Sequence, residues 1–108
     1  MEFEKNGCLL RIFIGESDRV HGRPLYAWLV EEAQRQGLAG ATVIRGMMGF
    51  GKKNRIHSAR ILSLSMDLPV IVEIVDTRDR LEAYLDSVEE AITEGLATLE
   101  KADVRFYR

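Results

Sequence analysis

Seven consecutive residues, Gly49-Phe50-Gly51-Lys52-Lys53-Asn54-Arg55, carry the types and spacing best suited to chemistry in this chain. Glycines let a backbone turn sharply and approach a ligand closely. Backbone N–H groups flanked by cations form an anion-binding concavity. The setting sharpens the signal, because no acidic residue lies between Glu32 and Asp67 while Arg35, Arg45, Lys52, Lys53, Arg55, Arg60 and His57 all fall there. The chain as a whole carries a net charge of -2. A net-acidic protein with one basic, glycine-hinged loop has a place to receive a phosphate or an acidic partner. From the residues alone the alternative, a solvated hairpin loop whose charges keep a sheet edge soluble, stands equally open.

Other candidate chemistry is thinner. His57 has no second His or Cys at metal-ligand spacing, and reads as a loop contact or ligand neighbour. Glu16, Asp18 and His21 cluster in a polar stretch that reads as a strand-to-helix loop turned by Asp18 or Ser17. Gly46 to Lys52 superficially resembles a phosphate-binding Walker loop, but the glycine spacing is wrong and no Ser or Thr follows the lysine. There is no nucleophile-elbow motif and no Cys-His pair at motif spacing. The residues supply no convincing nucleophile or base, so the expectation is a protein that is not an enzyme.

Length and composition set the bounds. At 108 residues and 46% hydrophobic content the chain is expected to be a single domain spanning residues 1–108. A net-acidic chain of this size is not expected to bind nucleic acid. The one cysteine, Cys8, rules out an intramolecular disulfide and reads as a small buried hydrophobe. The charged start carries no secretory pattern. No apolar run approaches the ~18 residues of a membrane span. The expectation is a soluble, cytoplasmic protein without direct membrane insertion.

The elements that must position the loop follow from periodicity. Cys8 to Ile14 is an apolar run ended by Gly15 and predicts a strand. Pro24 suits the first turn of a helix, in which Leu25, Trp28, Leu29 and Ala33 recur at helical spacing until Gly37. Gly40 to Met48 predicts a second strand, with Met47 and Met48 packed in the strand or in a subunit interface. A further strand begins near Arg60, and Pro69 to Val75 is strongly strand-forming; the two pieces are one bent strand or two. Asp76 or Thr77 can cap a second helix, striped by Leu81, Tyr84, Leu85, Val88 and Ile92 and ended by Gly95. Leu96–Leu99 and Val104–Tyr107 supply one or two closing strands.

The order β-α-β-loop-β-α-β predicts an α+β, ferredoxin-like (βαββαβ) antiparallel sheet with both helices on one face. Leu9 to Ile14 and Val70 to Val75 are apolar at nearly every position, and such strands are normally buried on both sides. The second face is therefore expected to pack against another subunit in a closed homo-oligomer, with ligand sites at the subunit boundaries.

Gly37-Leu38-Ala39-Gly40-Ala41-Thr42-Val43 followed by Gly49-Phe50-Gly51-Lys52-Lys53 resembles the nitrogen-regulatory PII signalling proteins, as does Leu68-Pro69-Val70-Ile71-Val72-Glu73-Ile74-Val75. With Gly22-Arg23-Pro24-Leu25-Tyr26 and Ile56-His57 added, the chain is similar to the PII-like domain-of-unknown-function family 190, in the PII/CutA superfamily, from Leu9 to Val104. The resemblance implies a trimer of ferredoxin-like subunits with sheets facing inward. It implies a regulatory, signalling role in which an adenine nucleotide lies in the cleft between neighbours. Thr42 would hold adenine, Lys52 and Lys53 after Gly49, Phe50 and Gly51 would lie near ribose and phosphates, and Gly95 and Arg105, with Arg108 as a further candidate, would meet the phosphates. The loop would dock a partner such as a membrane transporter or channel. PII has a longer glycine-rich loop with a lysine after its second helix, where this chain has Thr93-Glu94-Gly95-Leu96-Ala97. A glutamate there opposes a triphosphate by like-charge repulsion, so AMP or ADP is favoured over ATP, or a cyclic adenine dinucleotide. The loop from Lys52 to Arg60 is also shorter than in PII and lacks its modifiable tyrosine. The alternatives are a ligand-free interaction module and, ranked behind it, a metal-binding protein like CutA or a slow nucleotide hydrolase. No metal is expected.

Overall fold

The computed structural model describes residues 5–53, 55–58 and 67–108. Strand β1 (Gly7–Gly15) is the centre of the molecule. It is followed by a miniature hairpin, β2 (Arg19–Val20) and β3 (Arg23–Pro24), and by helix α1 (Leu25–Arg35). Then come β4 (Thr42–Arg45), a second small hairpin of β5 (Met48–Gly49) and β6 (His57–Ser58), the long β7 (Pro69–Thr77), helix α2 (Arg78–Val88) and β8 (Leu96–Lys101). Four strands form one sheet in the order β4-β7-β1-β8, with every neighbouring pair antiparallel. This is the ferredoxin-like α+β arrangement that the element order implied.

Strand periodicity decides what the two faces do. Leu10, Ile12 and Ile14 of β1 and Val70, Val72 and Ile74 of β7 point one way and are buried under Leu25, Leu29 and Ala33 of α1 and Leu81, Tyr84 and Val88 of α2. Cys8 joins this core as expected. Tyr84 brings a polar atom into it and satisfies it by donating its hydroxyl to the Leu29 carbonyl at 2.7 Å. The alternate residues Leu9, Phe13, Ile71 and Val75 are only half-buried on the opposite face. In that face Arg11 stands opposite Glu73 in register and donates its Nε to Glu73 Oε2 at 2.9 Å, with Glu100 of β8 on its other side.

Several boundaries differ from the sequence expectation. Pro24 is the residue before α1 rather than its first turn. The Gly40–Met48 segment is not one strand: β4 ends at Arg45, Gly46 N–H donates to the Pro69 carbonyl at 2.7 Å, and β5 starts a separate hairpin. Met47 and Met48 do not pack in the four-stranded sheet and are exposed on the single chain. The α2 cap agrees with the expectation: of the two residues offered, Thr77 caps it, accepting the Arg80 N–H on its Oγ1. Helix α2 stops at Val88 in a 3-10 turn over Glu89–Ala91, so Ile92 lies beyond it and Gly95 leads into β8. Of the one or two closing strands expected, one forms, β8, and residues 102–108 are a tail. The strand expected from Arg60 to Met66 lies outside the described residues.

Candidate functional site

The sheet places the expected ligand residues in three groups. Thr42 opens β4 opposite Glu73. It lines a cavity of about 250 Å³ with the rest of the segment 39–42, with Leu9 and Val75 of the open sheet face, and with Glu73 and Tyr107. The segment that carries Thr42 is held rigidly. Ala39 N–H donates to Oδ2 of the fully buried Asp76 at 2.9 Å, Arg80 Nη1 donates to the same oxygen at 3.0 Å, and Arg80 Nη2 donates to the Gly37 carbonyl. The cavity is therefore built on hydrogen-bonded backbone, with an apolar floor, the Thr42 hydroxyl, the Glu73 carboxylate and the Tyr107 phenol ring.

The second group is the basic hairpin. Gly49 pairs with His57, and Phe50, Gly51, Lys52 and Lys53 follow on the surface. Phe50 is 68% exposed, and Ile56 with Met47 and Met48 extends this apolar surface. Lys53 Nζ lies 3.3 Å from Glu94 Oε2. Glu94 precedes β8, whereas the hairpin follows β4, so the ion pair joins segments from the two opposite edges of the sheet.

Gly95 belongs to the neighbourhood of that ion pair. A side chain there would put its Cβ 2.7 Å from the Phe13 carbonyl, so only glycine lets the chain enter β8 this close to β1. Gly95 lines a different cavity, about 350 Å³, with Ile12, Leu85, Glu89 and Ile92 on the helix side of the sheet. Thr42 and Gly95 lie on opposite edges of four strands, about 14 Å apart across the sheet at the usual strand spacing. Within one chain they do not share a pocket. Arg105 stands on the tail, exposed, two residues from the cavity-lining Tyr107.

The remaining cations of the acid-free stretch divide by partner. Arg35 is bound to Glu32 through Nε and Nη2 at 2.6 and 2.7 Å, and this contact holds the Glu32 carboxyl below its ordinary range. Arg45 holds Glu16, Nε to Oε2 at 2.9 Å. Lys52 and Arg55 are exposed, and no ion pair to either occurs among the described residues. Asp18 turns the loop after β1, accepting the Gly15 N–H at 3.0 Å, as a structural reading of that cluster required. His21 lies against Trp28, ring centroids 5.9 Å apart. Among the described residues no group of three or more His, Cys, Asp or Glu could hold a metal ion. No helix among them is long and apolar enough to cross a membrane.

Sequence reasoning singled out neither Tyr107, Glu73 nor Asp76 for the site. Asp76 was visible only as a helix-cap candidate; its burial is the feature that no spacing rule discloses.

The four-stranded order and the two helices on one face define a ferredoxin-like fold. A solved nitrogen regulatory PII-like protein, CPII from Thiomonas intermedia, bound to ADP, AMP and bicarbonate, superposes with a TM-score of 0.67 at 11% identity, over 89% of this chain and 85% of that one. A putative PII-like signaling protein from Thermus thermophilus gives a TM-score of 0.60 at 22% identity, over 89% and 87%. At these identities the likeness concerns the fold. The family is given by sequence: residues 7–104 match DUF190, described as Uncharacterized ACR, COG1993, and the chain belongs to that family. A UPF0166 protein of Aquifex aeolicus is 40% identical over 96 residues, 89% of this chain and 90% of that protein.

Proposed function

We propose that this protein is a PII-like regulator that binds an adenine nucleotide, AMP or ADP in preference to ATP, at clefts between the subunits of a homotrimer. The observation that carries this reading is the division of the candidate residues. Thr42 with its cavity stands on the β4 edge of the sheet, and Glu94 and Gly95 stand on the β8 edge, where Lys53 reaches Glu94 from the hairpin that follows β4. Two half-sites on opposite edges become one site when the edge of one subunit meets the other edge of its neighbour. The half-buried apolar face of Leu9, Phe13, Ile71 and Val75 supplies a surface for that meeting. Support also comes from CPII, which shares the fold and is described bound to ADP and AMP.

In this reading Thr42 and its cavity take the base, while Gly49, Phe50, Gly51, Lys52, Lys53, Gly95 and Arg105 surround ribose and phosphate. Bound nucleotide favours one arrangement of the basic hairpin over another, which is the requirement for any switch. The exposed Met47, Met48, Phe50 and Ile56 beside Lys52 and Arg55 then offer a partner an apolar, cationic surface. Titration calorimetry with AMP, ADP, ATP and cyclic di-AMP at two salt concentrations tests the reading. Saturable binding near one site per subunit, strongest for AMP or ADP, is the expected result. No binding by any of the four would overturn it and leave the hairpin as a protein-docking element, whose partner binding salt should weaken.

A further inference from the structure

The tail follows a built path. Ala102 N–H donates to the Gly7 carbonyl at 3.0 Å. A Cβ on Gly7 would lie 2.3 Å from the Ala102 carbonyl oxygen and 2.9 Å from Val104 Cγ2, so the crossing point accepts only glycine. From there the chain leaves the β8 edge, passes Leu9 and Val75 on the open face, and ends at the connection into β4. Its anchor is Tyr107, whose hydroxyl donates to the Ala39 carbonyl at 2.6 Å, 68 residues away in sequence. Ala39 is the residue whose N–H is fixed by the buried Asp76. Both main-chain groups of Ala39 are thus occupied, one from the core and one from the tail.

We propose that residues 102–108 form a strap that closes on the ligand in the Thr42 cavity, with the Tyr107 ring as the wall against which a flat heteroaromatic base stacks. This deepens, and rests on, the nucleotide reading. The chemistry of the cavity selects the class of ligand. Leu9, Val75 and Ala41 offer an apolar surface and Tyr107 a π-face, while the Glu73 carboxylate, whose Oε2 takes Arg11 Nε at 2.9 Å, has its Oε1 to accept a hydrogen bond from an amino group. Arg105 and Arg108 ride on the same strap, with the Arg108 guanidinium 4.3 Å from the Phe106 ring centroid, so docking the tail brings cationic charge along with the aromatic wall. Binding and tail docking are then coupled: the ligand stabilises the docked strap, and the docked strap raises affinity.

The test compares the wild-type chain with Tyr107→Ala and Tyr107→Phe in calorimetric titrations with AMP and ADP, alongside amide hydrogen exchange of residues 102–108 with and without AMP. Loss of a stacking wall should weaken binding by about tenfold in Tyr107→Ala. Tyr107→Phe keeps the ring and loses the anchor to Ala39, and should weaken binding by about fivefold. AMP should slow exchange in the wild-type tail and leave the Tyr107→Ala tail unchanged, a coupling that a merely structural tyrosine would not produce. Thermal melts and mass measurements establish that the variants fold and assemble as wild type does. Unchanged affinity in Tyr107→Ala overturns the strap alone and leaves nucleotide binding standing. Tighter binding in Tyr107→Ala also overturns it, since the tail would then compete with the ligand. A wild-type chain that binds neither nucleotide removes both readings.

Discussion

Asp76 and Ala39, 37 residues apart in sequence, are joined by a hydrogen bond of 2.9 Å from the Ala39 N–H to the Asp76 carboxylate. The carboxylate has no exposed surface. Its charge is met by Arg80 Nη1 at 3.2 and 3.0 Å, and by the Thr77 N–H at 2.7 Å on Oδ1. A charge buried in this way is tolerated only because each oxygen is bonded. Through it the start of α2 fixes the backbone that leads into Thr42.

Removing the carboxylate should cost far more than a surface change. Asp76→Ala removes the carboxylate that Arg80 Nη1, the Thr77 N–H and the Ala39 N–H share, and should destabilise the fold by about 3 kcal/mol. Urea unfolding is the check, with a lower midpoint at unchanged slope expected. A loss below about 0.5 kcal/mol, the range of ordinary surface substitutions, would show that the cluster does not hold the Thr42 segment.

Tyr84 predicts a pH effect with a definite sign. Burial, and secondarily the nearby Glu32 charge, raise its hydroxyl well above the ordinary 10.0. The folded chain holds this proton more tightly than the unfolded chain does. The contribution is therefore complete below the unfolded value and is lost as pH rises from about 10 through the folded value. Wild type should lose stability over that alkaline range more steeply than Tyr84→Phe, which has no proton to lose. Parallel pH curves for the two proteins would contradict this. At neutral pH the variant should cost about 1 kcal/mol for the lost bond to the Leu29 carbonyl.

Much of this architecture was readable from periodicity. Leu10, Ile12 and Ile14 alternate, and Leu25, Leu29 and Ala33 recur at helical spacing, so strand, helix and buried face all follow from local pattern. What pattern does not carry is contact between distant segments. The β2–β3 hairpin has only two residues per strand, too short for any period to register. Met47 and Met48 read as residues packed in the strand or in a subunit interface, yet both follow Arg45, where β4 ends, and are exposed on the single chain. The Lys53–Glu94 pair and the Tyr107–Ala39 bond join residues whose proximity depends on the whole topology. The sequence offers the candidate residues as a list, and where the fold puts each of them, Thr42 on the β4 edge and Gly95 on the β8 edge, depends on the topology.

The Lys53–Glu94 pair should matter for ligand choice and little for stability. Its partners are 80% and 48% exposed at the side chain, and exposed pairs of this kind contribute about 0–1 kcal/mol. Glu94→Gln should therefore melt as wild type does. In the proposed site the carboxylate would compete with phosphate for Lys53 and repel added phosphates, so its removal should improve ADP and ATP binding relative to AMP by about fivefold. The same AMP-to-ATP ratio in both proteins would detach Glu94 from the phosphate end. Lys52→Ala/Lys53→Ala should lose nucleotide affinity at low salt while keeping its assembly, and unchanged affinity would remove both lysines from the site.

Phe13 gives the test of assembly. It pairs in register with Ile71 on one side and Leu96 on the other, in the middle of the sheet face that the helices leave uncovered. Leu96 is 59% exposed and Ile44, opposite Ile71, is 43% exposed, so the apolar face extends to both edges of the sheet. An aspartate at position 13 adds no charge to the helix-covered core, because Ile12 and Ile14 point to the other side. It does place a charge where a second subunit would have to desolvate it, which costs several kcal/mol. Phe13→Asp should therefore keep its circular-dichroism spectrum and fall to monomer mass in light scattering, while wild type runs as a trimer. It should also lose nucleotide binding, because separated subunits cannot join the Thr42 edge of one to the Gly95 edge of the next. A wild-type monomer would refute the oligomer directly. A monomeric Phe13→Asp that still bound AMP at full affinity would place the entire site within one chain, with Thr42, Glu73 and Tyr107 sufficient to hold the ligand.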